Sequence, residues 1–268
     1  MPLFDTHRHI HEAVRKTTPV HDKWHSNGKV DVEAILTEAK AADVRYLNCV
    51  GTTLADSRLA VEFVQNRVDM WASIGIHPHE AHDHLASEVQ QQFAELANAK
   101  KVVAIGECGL DYFYGHSSKA EQLQLLEFQL ELAQKHHLPV VFHVREAFKD
   151  FWRVFERFSG VRGVLHSYTD NQANLERALS HGLFIGVNGI CTFAKDPAQI
   201  AMYKAIPLQK LLLETDAPFL TPAPYRGTIC MPKHVAVTAE FAANLRGETF
   251  KQIIAATTTN AFQLFGIN

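Results

Sequence analysis

Leu3-Phe4-Asp5-Thr6-His7-Arg8-His9 is a short apolar run that ends in two histidines one residue apart. In a β-strand the side-chain period of two puts both imidazoles on the same face. Two neutral ring nitrogens there make a ligand pair for a divalent metal. In a chain with 16 histidines the pair alone decides little, so its weight rests on what the rest of the sequence repeats.

The pattern repeats. Short apolar runs, each closing on polar or unusual residues, occur at Leu3–Thr6, Val44–Val50, Met70–Ile76, Val102–Ile105, Pro139–Phe142, Val161–Leu165, Leu183–Val187 and Leu211–Leu213. Their near-continuous apolar character suits strands buried on both faces of a parallel sheet. Helical spacing fills the gaps. It is clearest after Ser118, where Ser118 and Glu121 form a capping-box pattern. Leu123, Leu126, Leu130 and Ala133 then mark one face, and Pro139 follows the expected helix end. Further helices are expected over 31–42, 54–67, 85–99, 146–158, 171–180 and 197–204, with two more between 233 and 265. No linker or internal repeat interrupts the order. Eight strand–helix units predict a single (β/α)8 TIM barrel domain over residues 1–268.

A barrel of this kind carries its chemistry at the C-terminal ends of its strands. His7 and His9 close the first run, and His77 and His79 follow the third in Gly75-Ile76-His77-Pro78-His79. Glu107 closes the fourth in Gly106-Glu107-Cys108-Gly109-Leu110-Asp111, and His143 the fifth. His166 closes the sixth, and Asp216 the eighth in Glu214-Thr215-Asp216-Ala217-Pro218. A lone histidine at a strand end is more often a satisfied polar residue, and Asp216 could simply cap its turn. A buried ionised Glu107 requires a partner or a metal. Six nitrogen and oxygen ligands exceed what one tetrahedral zinc takes. They suit two divalent cations about 3.5–4 Å apart. Glu107 is the natural bridge, with His7, His9 and Asp216 on one ion and His143 and His166 on the other. The donor types admit zinc, magnesium, manganese or iron.

Composition narrows the setting. The formal net charge of −3 argues against a protein that coats nucleic acid by bulk electrostatics, without excluding an enzyme acting on it. No apolar run reaches the ~18 residues of a membrane span, and a secretory signal pattern is not seen. Cys49, Cys108, Cys191 and Cys230 are scattered, which favours a reducing cytoplasm.

The motifs quoted above, with His143-Val144-Arg145 and His166-Ser167-Tyr168, resemble those of the TatD-type metal-dependent deoxyribonucleases of the amidohydrolase-like superfamily, over essentially the whole length. The resemblance implies a two-metal phosphodiester hydrolase, with the ligand roles on His7, His9, Glu107, His143, His166 and Asp216. Three departures leave every ligand in place and fall in the groove. Arg8 stands where the family often has Cys, and Ser167-Tyr168-Thr169-Asp170 replaces a Cys-Phe-Ser-Gly pattern. In Arg226-Gly227-Thr228-Ile229-Cys230-Met231-Pro232 the Asn of an Arg-Gly-x-x-Asn-x-Pro loop is lost.

The expected mechanism is hydrolytic: metal-activated water attacks phosphorus, and Asp216 doubles as the general base. Arg145, two residues past a ligand, is expected to clamp phosphate or orient Glu107, and Arg226 is a weaker phosphate contact. His77 and His79 are expected to touch substrate or support ligands. Tyr112 and Phe113, with Tyr114, are placed to stack a base. The leading expectation is a cytoplasmic deoxyribonuclease acting on DNA, single-stranded or at 3′ ends, with no membrane and no obligate protein partner. The alternatives are an ester or amide hydrolase, such as a D-aminoacyl-tRNA deacylase or small-molecule amidohydrolase, and a non-enzymatic metal-binding protein.

Overall fold

Each apolar run forms a strand. In a computed structural model, which describes residues 1–15 and 18–267, the strands are β1 (Leu3–Arg8), β2 (Val44–Val50), β3 (Met70–Ile74), β4 (Val102–Asp111), β5 (Val140–Arg145), β6 (Gly163–Leu165), β7 (Phe184–Val187) and β8 (Leu211–Leu213). Helices α1 (Pro19–Trp24), α2 (Val32–Ala41), α3 (Leu54–Val64), α4 (Ser87–Leu96), α5 (Lys119–His136), α6 (Phe148–Phe155), α7 (Gln172–Ser180), α8 (Pro197–Ala205), α9 (Val235–Arg246) and α10 (Phe250–Phe265) alternate with them. The strands are ordered β1 to β8 in one sheet, and the fold class is a (β/α)8 TIM barrel. The short α1 lies outside the helices expected from spacing. Thr18 caps it through its side chain and Pro19 starts it.

The chain divides into two compact units, Met1–Cys49 with Ser167–Gln263, and Val50–His166 with Leu264–Ile267. In the first, β1 pairs in parallel with β2, and β7 with β8. Phe4 packs edge-on against Phe262, 5.8 Å between centroids, and Phe262 in turn against Tyr46. In the second, β3, β4, β5 and β6 pair in parallel in that order. Its core gathers Phe142, Phe151, Trp152 and Phe155, all nearly inaccessible to solvent.

Two strands run past their apolar sequences, and this corrects where two site residues sit. β4 continues to Asp111 and β5 to Arg145, so Glu107 and His143 lie inside strands rather than at strand ends. The extension is held by pairing of Cys108, Gly109, Leu110 and Asp111 with Phe142, His143, Val144 and Arg145, after a register shift beyond Ile105. Glycine makes it possible. Gly106 and Gly109 sit at φ +134° and +151°, and a Cβ on them would collide with the carbonyl oxygens of Val141 and His143.

Helix α5 begins with the expected capping box, Ser118 and Glu121 exchanging hydrogen bonds. Its buried face is wider than the apolar spacing indicates. Gln122 and Gln129 are buried beside Leu125, Leu126, Leu130 and Ala133, whereas Leu123 is only half-buried.

Candidate metal centre

The first unit brings together three of the predicted ligands. Strand alternation sets the His7 and His9 rings 5.2 Å apart, and their Nε2 atoms lie 3.6 and 3.4 Å from one Asp216 carboxylate oxygen. The turn after β8 fixes that carboxylate: the Asp216 N–H donates to the His7 carbonyl, and the His9 N–H to the Ala217 carbonyl. Asp216 itself adopts a left-handed φ of +61°, which Asp tolerates better than most residues. Behind the turn, buried Asp5 accepts hydrogen bonds from the Thr215 N–H at 2.9 Å and hydroxyl at 2.7 Å. Burial pushes the Asp5 carboxyl up to about 7, against the pull of Arg8 and the Thr215 hydrogen bonds.

The departures from the family pattern have structural partners here. Arg8 alternates to the other face of β1, wholly buried, and donates to the Cys49 sulfur at 3.6 Å. Burial raises the Cys49 thiol, but Arg8, His11 and His9 outweigh it and leave its pKa lowered. Ser167 donates its N–H to Glu214 and accepts from the Asn188 amide, while the Cys230 thiol faces the Thr215 carbonyl at 3.9 Å. Asp170 accepts from the Asn174 amide.

The second unit builds around Glu107, a carboxylate only 4% exposed. One of its oxygens meets His143 Nδ1 and His166 Nε2, each at 2.9 Å, and His77 Nε2 at 3.6 Å. The His143 and His166 imidazoles meeting one buried carboxylate oxygen make a donor set for a divalent metal. Atoms from His77, Glu107 and His143 lie within 4.8 Å of one another. The site fits such an ion.

The histidines are not equivalent. His77 caps the short turn Pro78–Asp83, its Nδ1 accepting from the His79 N–H at 3.2 Å. That lone pair is spent, so the neutral ring carries its proton on Nε2, facing Glu107. Burial and the neighbouring His143 hold its pKa well below the usual histidine value. His77 is therefore a neutral N–H donor. For His143, burial pulls the imidazolium down, but hydrogen bonds to Asp111 and Glu107 outweigh it and leave its pKa raised.

Asp111 was not singled out in the sequence, although it ends the Glu107 motif. One oxygen accepts from the Phe113 and Tyr114 N–H groups, at 2.9 and 3.2 Å. The other faces His143 Nε2 at 2.9 Å and His79 Nε2 at 3.1 Å. Burial raises this carboxyl, yet the hydrogen bonds from His143 and His79 prevail and hold it far below the carboxylate range. Gln122 grips the same residue by its backbone, accepting from the Asp111 N–H and donating to its carbonyl. Gln129 does the same at Ile76, next to His77.

The predicted substrate residues fall into three settings. Arg145 lies over the Phe113 ring at 3.9 Å and the Tyr114 ring at 4.9 Å, with Phe113 and Tyr114 about half exposed. Tyr112 is engaged at the rim, donating to Asp150 beneath the Lys119 ammonium. Arg226 stands over Phe193 at 3.6 Å.

A family model described as TatD related DNase matches residues 4–266. The chain belongs to the TatD-related DNase family. It is 35% identical to the uncharacterized metal-dependent hydrolase YabD of Bacillus subtilis, over 99% of this chain and 100% of that one. It is 33% identical to the 3′-5′ ssDNA/RNA exonuclease TatD of Citrobacter rodentium, over 88% and 92% of the two chains. The crystal structure of YJJV, a TatD homolog from Escherichia coli, matches with a TM-score of 0.86 and 27% identity, covering 99% of this chain and 98% of that one. This TatD-family chain is accordingly a metal-dependent hydrolase. Among the described residues no helix is long and apolar enough to cross a membrane.

Proposed function

We propose that this protein hydrolyses phosphodiester bonds of single-stranded DNA, trimming from the 3′ end. The observation that carries the reading is the buried Glu107 with its converging imidazoles, with Arg145, two residues past His143 on β5, resting on two half-exposed aromatic rings. The relative named as a 3′-5′ ssDNA/RNA exonuclease supports the substrate class.

We assign two divalent ions, one to His7, His9 and Asp216 and one to Glu107, His143 and His166. When bound, such ions lower the pKa of water and offset the negative charge of the phosphoryl group. The residues supply the rest. Asp216, 16% exposed at its side chain, accepts the proton of the attacking water. The water oxygen bonds to phosphorus as the P–O bond to the departing sugar breaks, and the proton taken up by Asp216 passes to the departing sugar oxygen. His77 donates its Nε2 proton in a hydrogen bond to a phosphoryl oxygen, and His79 lines the same turn. Arg145 engages the next phosphate, and Phe113 and Tyr114 stack the bases that follow. Tyr112 keeps the platform's base in place, and Arg226 contributes at most a peripheral phosphate contact.

The test supplies zinc-, manganese- or magnesium-loaded protein with 5′-end-labelled single-stranded DNA, a D-aminoacyl-tRNA and an aryl ester. A ladder shortening from the 3′ end, abolished by EDTA and by Asp216→Asn, is expected. Deacylation of the tRNA with intact DNA would replace the nuclease by an ester hydrolase. Ions bound with no substrate turned over would leave a metal-binding protein.

A further inference from the structure

We infer that Asp111 is a positioning residue that holds the His143 ring proton on Nε2, so that Nδ1, on the Glu107 side, is the nitrogen available to a metal. The inference rests on the reading of His143 as a metal ligand. A ligating histidine needs an unprotonated nitrogen toward the ion, and a partner for the other ring N–H fixes that choice. Here the partner is visible. His143 turns Nδ1 to Glu107 and Nε2 to Asp111, both at 2.9 Å.

The direction of the choice follows from the other half of the Asp111 carboxylate. Its first oxygen is committed to two backbone donors, the Phe113 and Tyr114 N–H groups, which accept nothing. A carboxylate accepts on both oxygens, so the second oxygen accepts the proton of His143 Nε2. With Nε2 held protonated by Asp111, Nδ1 is the nitrogen that gives up its proton when an ion binds on the Glu107 side. The backbone of Asp111 is clamped in place by the Gln122 amide, which bonds both its N–H and its carbonyl from inside α5. The arrangement runs from a helix glutamine through a strand backbone to a carboxylate and on to the ring of a ligand.

An amide at position 111 has the same shape and the opposite consequence. Its single oxygen stays on the two backbone N–H groups, which keeps the turn folded. Its NH2 then faces His143 Nε2, which must accept. The ring proton moves to Nδ1, and the lone pair facing Glu107 is lost.

The experiment uses the full chain labelled with 15N-histidine, titrated with zinc and followed by long-range proton–nitrogen correlation. Zinc-loaded wild-type protein should show His143 protonated at Nε2, with a zinc-shifted, unprotonated Nδ1. Asp111→Asn should retain the fold, show the reversed proton placement and bind zinc tenfold to a hundredfold more weakly. A variant that keeps the wild-type placement and affinity would overturn the role of Asp111. So would wild-type protein with the proton on Nδ1, a result needing no variant to fold. Zinc that moves no His143 resonance in the wild type would remove the ligand reading itself, and is distinguishable from either outcome.

Discussion

Phe113 has the Arg145 guanidinium 3.9 Å from its ring centre and still leaves half its surface to solvent. A cation seated on an exposed ring holds the ring flat and ready for a second stacking partner. Phe113→Ala should weaken single-stranded DNA binding by about 1–3 kcal/mol, measured by fluorescence anisotropy, while leaving turnover of bis-p-nitrophenyl phosphate unchanged. Equal losses on both substrates would mean the ring supports the fold rather than a base. Arg8 makes a different point at this scale. A charged residue between two histidines proposed as ligands reads from sequence as a groove residue, but alternation turns it inward onto Cys49. The nature of its partner depends on β2, and no local spacing in β1 contains it.

Among the elements, the eight strands were legible because both-face burial writes itself as an apolar run. The continuation of β4 was not. Gly106-Glu107-Cys108-Gly109 carries the marks of a turn, and only the neighbouring β5 backbone explains the glycines. The buried glutamines of α5 were equally hidden, since an amide seven residues from another reads as a solvent face. Their bonds go to backbone groups of Ile76 and Asp111, 53 and 11 residues away in sequence. Gln129→Met keeps the volume and removes both partners from Ile76. The expected loss is about 1–3 kcal/mol for each buried group left unpaired, read from the urea midpoint at unchanged m-value. The histidines and Asp216 proposed as ligands stand out in the sequence for a simpler reason: residues of these types close apolar runs, where they are costly without a use. Asp111 escaped because its role is to hold other side chains.

For the whole molecule, ions that bind the folded chain and not the unfolded one stabilise it by mass action. Zinc at a hundredfold excess over its Kd should add about 2.7 kcal/mol for each occupied position, and EDTA should lower Tm accordingly. A melting temperature indifferent to EDTA would contradict the assignment of the ions. The contacts that shape the first cluster also carry a timetable. Asp5 meets Thr215 across 210 residues of chain, and the His9 N–H waits for the Ala217 carbonyl. A ribosome adds about 5–20 residues per second, so for roughly ten seconds or more the nascent chain holds His7 and His9 without Asp216 beside them. A growing chain thus cannot assemble the proposed ion position early, and the cluster of His7, His9 and Asp216 is not completed before synthesis has passed β8.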